Sequence, residues 1–440
     1  MTSQASQTPS TLNEWLALLE QRHFKQIDMG LDRVMQVKEK LDIKFDCPVI
    51  MVAGTNGKGS TCAMLESILM RAGYRVGLYI KPHFLHFNER ARISGDMASD
   101  AQLIAAFNEV EARRIECGEV SLTYFEFTTL AIMKLLADAK QDVVILEVGL
   151  GGRLDAVNVV DADVAIVTSI DIDHTEYLGD TREKIGFEKA GIFRPGRVAV
   201  CGDPVPPQSL IDHAEKIGAD LWLMGRDYNY QGDKQQWAYG GRGMRRNSLA
   251  YPSLRGANQI LNASAALAAL EALREVLPVG AQEVRTGLAT VELPGRFQVL
   301  PGQPLVILDV AHNPHAAATL AQNLDNMGFH PYTYAVFGSM LDKDIEGVIG
   351  HLKDKIDHWC VTDLPLPRAA TAQQLKETLL GAGVEPEFRR DAARSIETFD
   401  TPAAAYANAL SRAGENDRIV VFGSFLTVAG VMQARRPGLH

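Results

Sequence analysis

The stretch Gly54-Thr55-Asn56-Gly57-Lys58-Gly59-Ser60 carries the densest chemistry in the sequence. It follows the apolar run Pro48-Val49-Ile50-Met51-Val52-Ala53 and precedes a helical pattern that starts at Thr61. A strand, a glycine loop with one lysine and a helix together make a phosphate cradle. The glycines let consecutive backbone N–H groups converge on an anion, and the helix N-terminus adds its dipole. Lys58 offers a point charge to the terminal phosphates, and the Ser60 hydroxyl is placed to reach Mg²⁺. The spacing is not that of the general G-x-x-x-x-G-K-[ST] loop, because Gly54 and Gly57 are closer together and Gly59 separates Lys58 from Ser60. A tight strand-to-helix turn without a ligand is the alternative that composition leaves open.

A second segment, Glu147-Val-Gly-Leu-Gly-Gly-Arg-Leu-Asp-Ala-Val-Asn158, also starts at the end of an apolar strand. A dinucleotide fingerprint fails here, since Leu154 stands at the third glycine position and the acid precedes the glycines. An acid at a strand tip beside a phosphate loop suits Mg²⁺ ligation; an exposed strand-end carboxylate is the plainer reading. Thr168-Ser169-Ile170-Asp171-Ile172-Asp173-His174 ends another strand, and its two acids beside His174 suit a metal, against an ordinary core or surface histidine. Lys189, in Glu188-Lys189-Ala190-Gly191-Ile192-Phe193, reads from pattern alone as a solvated helix lysine. In Asp309-Val-Ala-His-Asn-Pro-His315, Asp309 could accept a ribose hydroxyl and His312 could stack or hydrogen-bond nearby. The alternative there is that Asn313-Pro314 caps the next helix. Arg296 could reach phosphates or pair with a surface acid.

The elements that must carry these residues alternate. Apolar runs at Val143–Leu146, Val164–Val167, Val198–Val200 and Leu221–Met224 each stop at a polar or glycine-rich loop. Helical patterns run from Leu12 to Leu19, from Thr61 to about Arg71, and over Asp100 to Glu116, Phe125 to Lys140 and Asn258 to Val276. Arg75 to Ile80 reads as a strand and Tyr228 to Ser253 as a hairpin excursion. Such alternation predicts βαβ units and a mostly parallel sheet, with ligands at the carboxyl ends of its strands. The pattern breaks near Leu293-Pro294-Gly295-Arg296 and restarts with strands at Leu305–Leu308, Tyr334–Phe337, Trp359–Thr362 and Ile419–Phe422. A chain of 440 residues is too long for one ordinary core. The expected architecture is therefore α/β in two domains, an ATP-binding domain over 1–295 and a smaller Rossmann-like domain over 296–440.

A net charge of −10 argues against a nucleic-acid partner held on a broad basic face. Five dispersed cysteines without C-x-x-C spacing read as free thiols in a reducing compartment. No run is long enough for a membrane span, and the polar start, Met1 to Ser10, lacks an apolar signal core, so a cytoplasmic location is expected.

Taken together the segments resemble the folylpolyglutamate and dihydrofolate synthase branch of the Mur ligase superfamily. The resemblance spans nearly the whole chain, in the order GTNGKGS, Asn88-Glu89-Arg90, Glu147-VGLGGRLDA, Asp173-His174, EKAGIF, LPGRFQ at 293–298, DVAHNPH and Gly423-Ser424-Phe425. It implies an N-terminal P-loop-type ATPase domain and ATP-dependent joining of L-glutamate to dihydropteroate and to reduced folates, through an acyl phosphate. It implies ATP contacts at Gly57, Lys58, Gly59, Ser60, Asn262, Arg296 and Asp309. Two Mg²⁺ sites would draw on Ser60, Glu147, His174 and a carbamylated Lys189; Lys58, Lys189 and His174 would be catalytic. Met29, Gly30, Leu31, Asp32, Pro82, Leu122, Thr123, Tyr124, Phe125 and Arg153 would meet the substrate. A monomer is expected. Two departures stand out: Lys81-Pro82-His83-Phe84 where the family often has Ser-Pro-His-Leu, and Asn258-Gln259 where many relatives have His-Gln. The rival readings are a folylpolyglutamate synthase alone, another Mur-type amide ligase, a nucleotide-gated switch and a dehydrogenase.

Overall fold

The computed structural model describes residues 9–25, 27–233, 235–256, 258–386 and 394–435; most of the polar start of the chain lies outside them. Eight strands form the first sheet: β1 (Val49–Ala53), β2 (Val76–Tyr79), β3 (Ala91–Ile93), β4 (Asp96–Met97), β5 (Val143–Glu147), β6 (Val164–Val167), β7 (Val198–Cys201) and β8 (Asp220–Leu223). Their order is β4-β3-β2-β5-β1-β6-β7-β8. The strands from β2 to β8 pair in parallel, and β3 and β4 add an antiparallel edge. β1, β2, β5 and β6 are buried throughout, which is why they read as unbroken apolar runs.

Register places the chemistry. Val52 pairs with Glu147 and Ala53 with Val167, so β1, β5 and β6 end level with one another. Gly54, Glu147 and Thr168 consequently share one carboxyl edge, where ligands of parallel sheets gather.

The segment expected as a hairpin has one strand more. β9 (Asn229–Gly232), β10 (Trp237–Gly240) and β11 (Arg245–Leu249) make an antiparallel three-stranded sheet with β10 in the middle. Trp237 and Tyr239 alternate inward along β10, and Tyr239 donates to Glu271 at 2.7 Å. A sequence rich in arginine and glycine hid that alternation.

The second sheet comprises β12 (Gln298–Leu300), β13 (Leu305–Leu308), β14 (Thr333–Phe337), β15 (His358–Thr362), β16 (Ser395–Phe399) and β17 (Arg418–Phe422), in the order β12-β13-β17-β14-β15-β16. All neighbours are parallel except β12 with β13. Phe337, Trp359 and Phe422 stack in its core. β12 and β16 escaped the sequence reading because edge strands are half-buried and lack a continuous apolar run.

By contacts the chain separates into two units. One holds Met1–Ile172, Leu178–Tyr251 and Leu261–Thr290; the other holds Asp173–Tyr177, Pro252–Ile260 and Val291–His440. Two short segments from before residue 295 therefore pack with the second unit.

The helix that opens at Lys58 runs to Arg71 and is seated by a glycine on the helix Ala281–Thr290. Ser67 Oγ donates to the Gly287 carbonyl at 2.8 Å, and a Cβ on Gly287 would lie 2.6 Å from Ile68 Cα. Gly287→Ala should push the two helices apart and destabilise the fold by about 1–3 kcal/mol, as overpacking does. Chemical denaturation checks this, and an unchanged midpoint would contradict the packing argument.

Candidate active site

Gly54 leaves β1 with φ near +151°, and a Cβ there would overlap the Thr168 hydroxyl. Gly57 takes φ +88° at the N-cap of the Lys58–Arg71 helix, and a Cβ on it would strike Asn262 Oδ1. No side chain caps this helix end, and a helix N-terminus of this kind favours an anion. Asn262, expected at the nucleotide, is buried against the loop itself. The loop is fastened to the end of β6: Thr168 Oγ1 donates to the Asn56 carbonyl at 2.6 Å, Thr55 N donates to Ser169 O at 2.7 Å, and Asp171 N donates to Thr55 Oγ1 at 3.0 Å. Lys58 curls over the loop, donating to the carbonyls of Gly54 at 2.8 Å and Thr55 at 3.1 Å. Gly59 and Ser60 are buried in the first turn.

Glu147 ends β5 as a 2% exposed carboxylate, accepting from the Lys81 backbone amide at 2.6 Å. The glycines after it admit neighbours where side chains would not fit. Gly149 lies under Phe125, and Gly152 lies against the carbonyls of Glu188 and Lys189. Asp155 folds this loop back by accepting from the amides of Gly149 at 2.9 Å, Leu150 at 2.8 Å and Val157 at 3.1 Å. Lys189 is only 3% exposed, which corrects the solvated reading that helical pattern suggested. Pattern misled because Lys189 belongs to the buried face of the Arg182–Ala190 helix, with Ile185, Gly186 and Ala190, and its carbonyl lies against Gly152. Arg153 is half-exposed, paired with Glu188 at 2.8 Å and lying over Phe187.

The two segments expected at the substrate are tied to each other. Arg33 bonds the Asp28 carboxylate at 2.8 Å and the Glu126 carboxylate at 2.8 Å, linking 28–33 with 122–126. Met29, Gly30, Leu31, Tyr124 and Phe125 are partly exposed, and Asp32 and Pro82 are exposed, so all can meet a ligand. Leu122 and Thr123 are not so placed. Leu122 is fully buried, and the Thr123 hydroxyl caps the helix Tyr124–Asp138 by accepting from Glu126 N at 3.1 Å. The NER segment is likewise a brace, with Glu89 accepting from the amides of Phe84, Leu85 and His86.

In the second unit, Asp309 ends β13 and accepts from Phe297 N at 2.9 Å and Ala311 N at 2.8 Å. Desolvation pushes its carboxyl up, against the pull of Arg296. Arg296 lies over the Phe425 ring at 5.1 Å. Asn313 caps the helix Pro314–Asp325, as the plainer reading proposed. Asp173 lies beside Lys343 at 2.7 Å and His312 at 3.7 Å. Burial works to raise its carboxyl, but the His312 bond and the charges of His174 and Lys343 hold it far below the usual range. His174, at φ +52°, is exposed with Nε2 3.5 Å from Lys343 Nζ. Lys343 was missed by sequence; its signal was its place on the loop after β14, at a carboxyl edge.

Among the described residues no three His, Cys, Asp or Glu side chains converge on one point. Ser60 and Glu147 fit Mg²⁺ all the same, since that ion is ordinarily held by one or two hard oxygens together with substrate phosphates. The bare helix end and the glycine cradle fit a triphosphate.

A family model described as "Mur ligase middle domain" matches residues 52–270, and one described as "Mur ligase, glutamate ligase domain" matches 295–425. The sequence is 45% identical to the Escherichia coli (strain K12) dihydrofolate synthase/folylpolyglutamate synthase, over 98% of either chain. It is 33% identical to the Mycobacterium tuberculosis protein of that name, over 93% of this chain and 91% of the other. Among solved structures it resembles E. coli FolC in complex with DHPP and ADP, with a TM-score of 0.90 and 44% identity over 97% and 99% of the two chains. A Yersinia pestis bifunctional folylpolyglutamate synthase/dihydrofolate synthase complexed with AMPPNP and Mn ion gives 0.88 and 44%, over 98% and 100%.

Thr168→Val keeps the shape of the loop fastener and deletes its donor. The Asn56 carbonyl loses its shortest bond, at a cost of about 1–3 kcal/mol in local order. A raised KM for nucleotide with an unchanged KM for the acceptor substrate is the expected result in steady-state kinetics.

Proposed function

Because this chain belongs to the Mur ligase family, in its dihydrofolate synthase/folylpolyglutamate synthase branch, we propose that the site just described joins L-glutamate to folate carboxylates at the expense of ATP. The enzyme is an ATP- and Mg²⁺-dependent amide ligase, acting on dihydropteroate to form dihydrofolate and on reduced folates to lengthen their glutamate tails. The observation that carries the reading is the fastened Gly54–Ser60 loop with Glu147 level beside it and the Phe125 segment in the same unit.

A carboxylate is a poor electrophile. Its oxygen attacks the γ-phosphorus, the bond to the β-phosphate oxygen breaks, and ADP leaves an acyl phosphate. The glutamate amine then attacks the acyl carbon, loses a proton, and phosphate departs with the electron pair of the C–O bond. In this assignment the amides at Gly57–Ser60 hold the phosphates, and Lys58 swings from the Gly54 and Thr55 carbonyls to the γ-phosphate. Mg²⁺, when bound by Ser60 and Glu147, supplies neutralisation of phosphate charge. His174 and a carbamate on Lys189 are assigned to the second ion. The lysine amine adds to CO₂ and releases a proton, so a buried cation becomes an anion able to hold metal. Arg296 and Asp309 are assigned to ATP. Met29, Asp32 and Phe125 are assigned to the pterin, with Arg153 at the substrate.

We further take the enzyme to be a cytoplasmic monomer, a reading supported by its five free cysteines; no helix among the described residues is long and apolar enough to cross a membrane.

Lys58→Ala should lower ligation by about 10²–10³-fold or more while the fold stays intact, since this partly exposed lysine bonds loop carbonyls and lies outside the apolar core. Phosphate-release assays together with circular dichroism check it; wild-type rates would sink the assignment. Lys189→Ala should lose activity and regain part of it with a small added carboxylic acid. An intact-site peptide mass without the added CO₂ in metal-loaded enzyme would refute the carbamate. Phe125→Ala and Asp32→Ala should impair dihydropteroate use more than extension of folates, and equal losses would remove the separate pterin pocket.

A further inference from the structure

Lys81 leaves β2 at the position where the family often carries serine. Its backbone amide is bonded to Glu147, but its ammonium is buried and has no hydrogen-bond partner. Two aromatic faces hold it instead. Nζ lies 4.1 Å from the centroid of Tyr79 and 4.6 Å from that of Phe125. Neither nearby carboxylate answers it. Asp155 is turned to the amides of Gly149, Leu150 and Val157, and Glu147 presents Oε2 to the Lys81 backbone. The Tyr79 hydroxyl is paired with Thr129 at 2.9 Å. The neighbouring cation, Arg90, donates to His83 Nδ1 at 2.8 Å and offers no acceptor.

Three donors on one desolvated ammonium therefore meet no acceptor of the protein. Desolvation lowers this amine to about 8, against the pull of Asp155 and Glu147. Ring faces stabilise a cation but take none of its hydrogen bonds. A buried donor without an acceptor is costly, and whatever molecule brings an oxygen to it recovers that cost on binding.

Phe125 identifies the molecule. It is partly exposed, it is seated on Gly149, and it is the ring assigned above to stack on the pterin. We propose that Lys81 is a substrate-binding residue whose ammonium donates to an oxygen of dihydropteroate as that substrate lies against Phe125. The proposal rests on the folate-ligase reading and deepens it. Dihydropteroate carries two kinds of suitable oxygen, the ring carbonyl and the aryl carboxylate. A folate that already bears glutamate places its reacting carboxylate farther from its ring, so the same oxygen cannot sit at Lys81 during tail extension. Lys81 is thereby a determinant of preference between the two reactions.

The variant Lys81→Met keeps the stem in its aromatic slot and removes the donors. The expected result is a KM for dihydropteroate raised about ten-fold or more, with the KM for ATP and for L-glutamate, the Mg²⁺ dependence and folate extension little changed. Lys81→Arg, which restores donors and stacks on rings, should recover part of the loss. If Lys81 were merely a packing residue, both acceptor reactions and the melting temperature would move together. That outcome overturns the proposal, as does a variant whose main change is in Mg²⁺ dependence. Two inhibitors of dihydropteroate turnover distinguish the oxygens: 6-hydroxymethyl-7,8-dihydropterin has the ring without the carboxylate, and p-aminobenzoate the reverse. The one that loses potency in Lys81→Met names the acceptor, and equal potency against both proteins overturns the proposal. Failure of the unaltered enzyme to use dihydropteroate at all would instead remove the bifunctional reading, so the two failures are distinguishable.

Discussion

A loop that must surround a phosphate with backbone amides has no room on its inner side for a Cβ, and the first unit is arranged around that restriction. Gly54 and Gly57 would collide with Thr168 and Asn262 if either carried a side chain. Those two residues are thus not incidental neighbours but the surfaces against which the bare loop is shaped. Thr168 ends β6 and Asn262 belongs to a buried alanine-rich helix, so strand register and helix seating both fix the loop. The same restriction recurs beside Glu147, where Gly149 and Gly152 bring Phe125 and the Lys189 backbone close to the metal-binding edge. The candidate residues of the first unit are in this way gathered onto short stretches of unsubstituted backbone.

The charges buried near that backbone are held by unequal means. Glu147 and Asp155 accept hydrogen bonds from backbone amides. Asp173 relies on Lys343, His312 and His174. Lys81 has only aromatic faces. A group satisfied by its own loop is rigid before any ligand arrives. One that lacks a partner gains most from the ligand, and so discriminates among ligands most strongly.

Much of this was legible in the sequence because the physics there is local. Buried parallel strands announce themselves as apolar runs, Thr11 and Ser99 cap their helices as their side-chain chemistry dictates, and the phosphate loop is contiguous. What was hidden depends on contacts distant in sequence. Lys189 reads as a surface lysine until its helix packs and buries it. Thr123 reads as a pocket residue until Glu126 claims its hydroxyl. Asp171 attracts notice as one of two acids beside His174, whereas its backbone amide, with the Thr168 hydroxyl, fastens Thr55 and Asn56. Lys343 carries no motif; only its partner Asp173 gives it meaning. Edge strands such as β16 are obscured for a related reason, since half-burial removes the pattern that reveals a strand.

The assignment of Asp173–Tyr177 to the second unit has a bearing on biosynthesis. Asp173 emerges from the ribosome 170 residues ahead of Lys343, the cation that neutralises it. Until His312 and Lys343 are made, this segment has the chain for its first unit on either side. Contacts of such long sequence separation close late and at high loop entropy. The first unit can acquire its sheet during translation, but the Asp173 segment must wait for the carboxyl-terminal third of the polypeptide. Separate expression of the two halves would leave that segment on the fragment that carries the first unit.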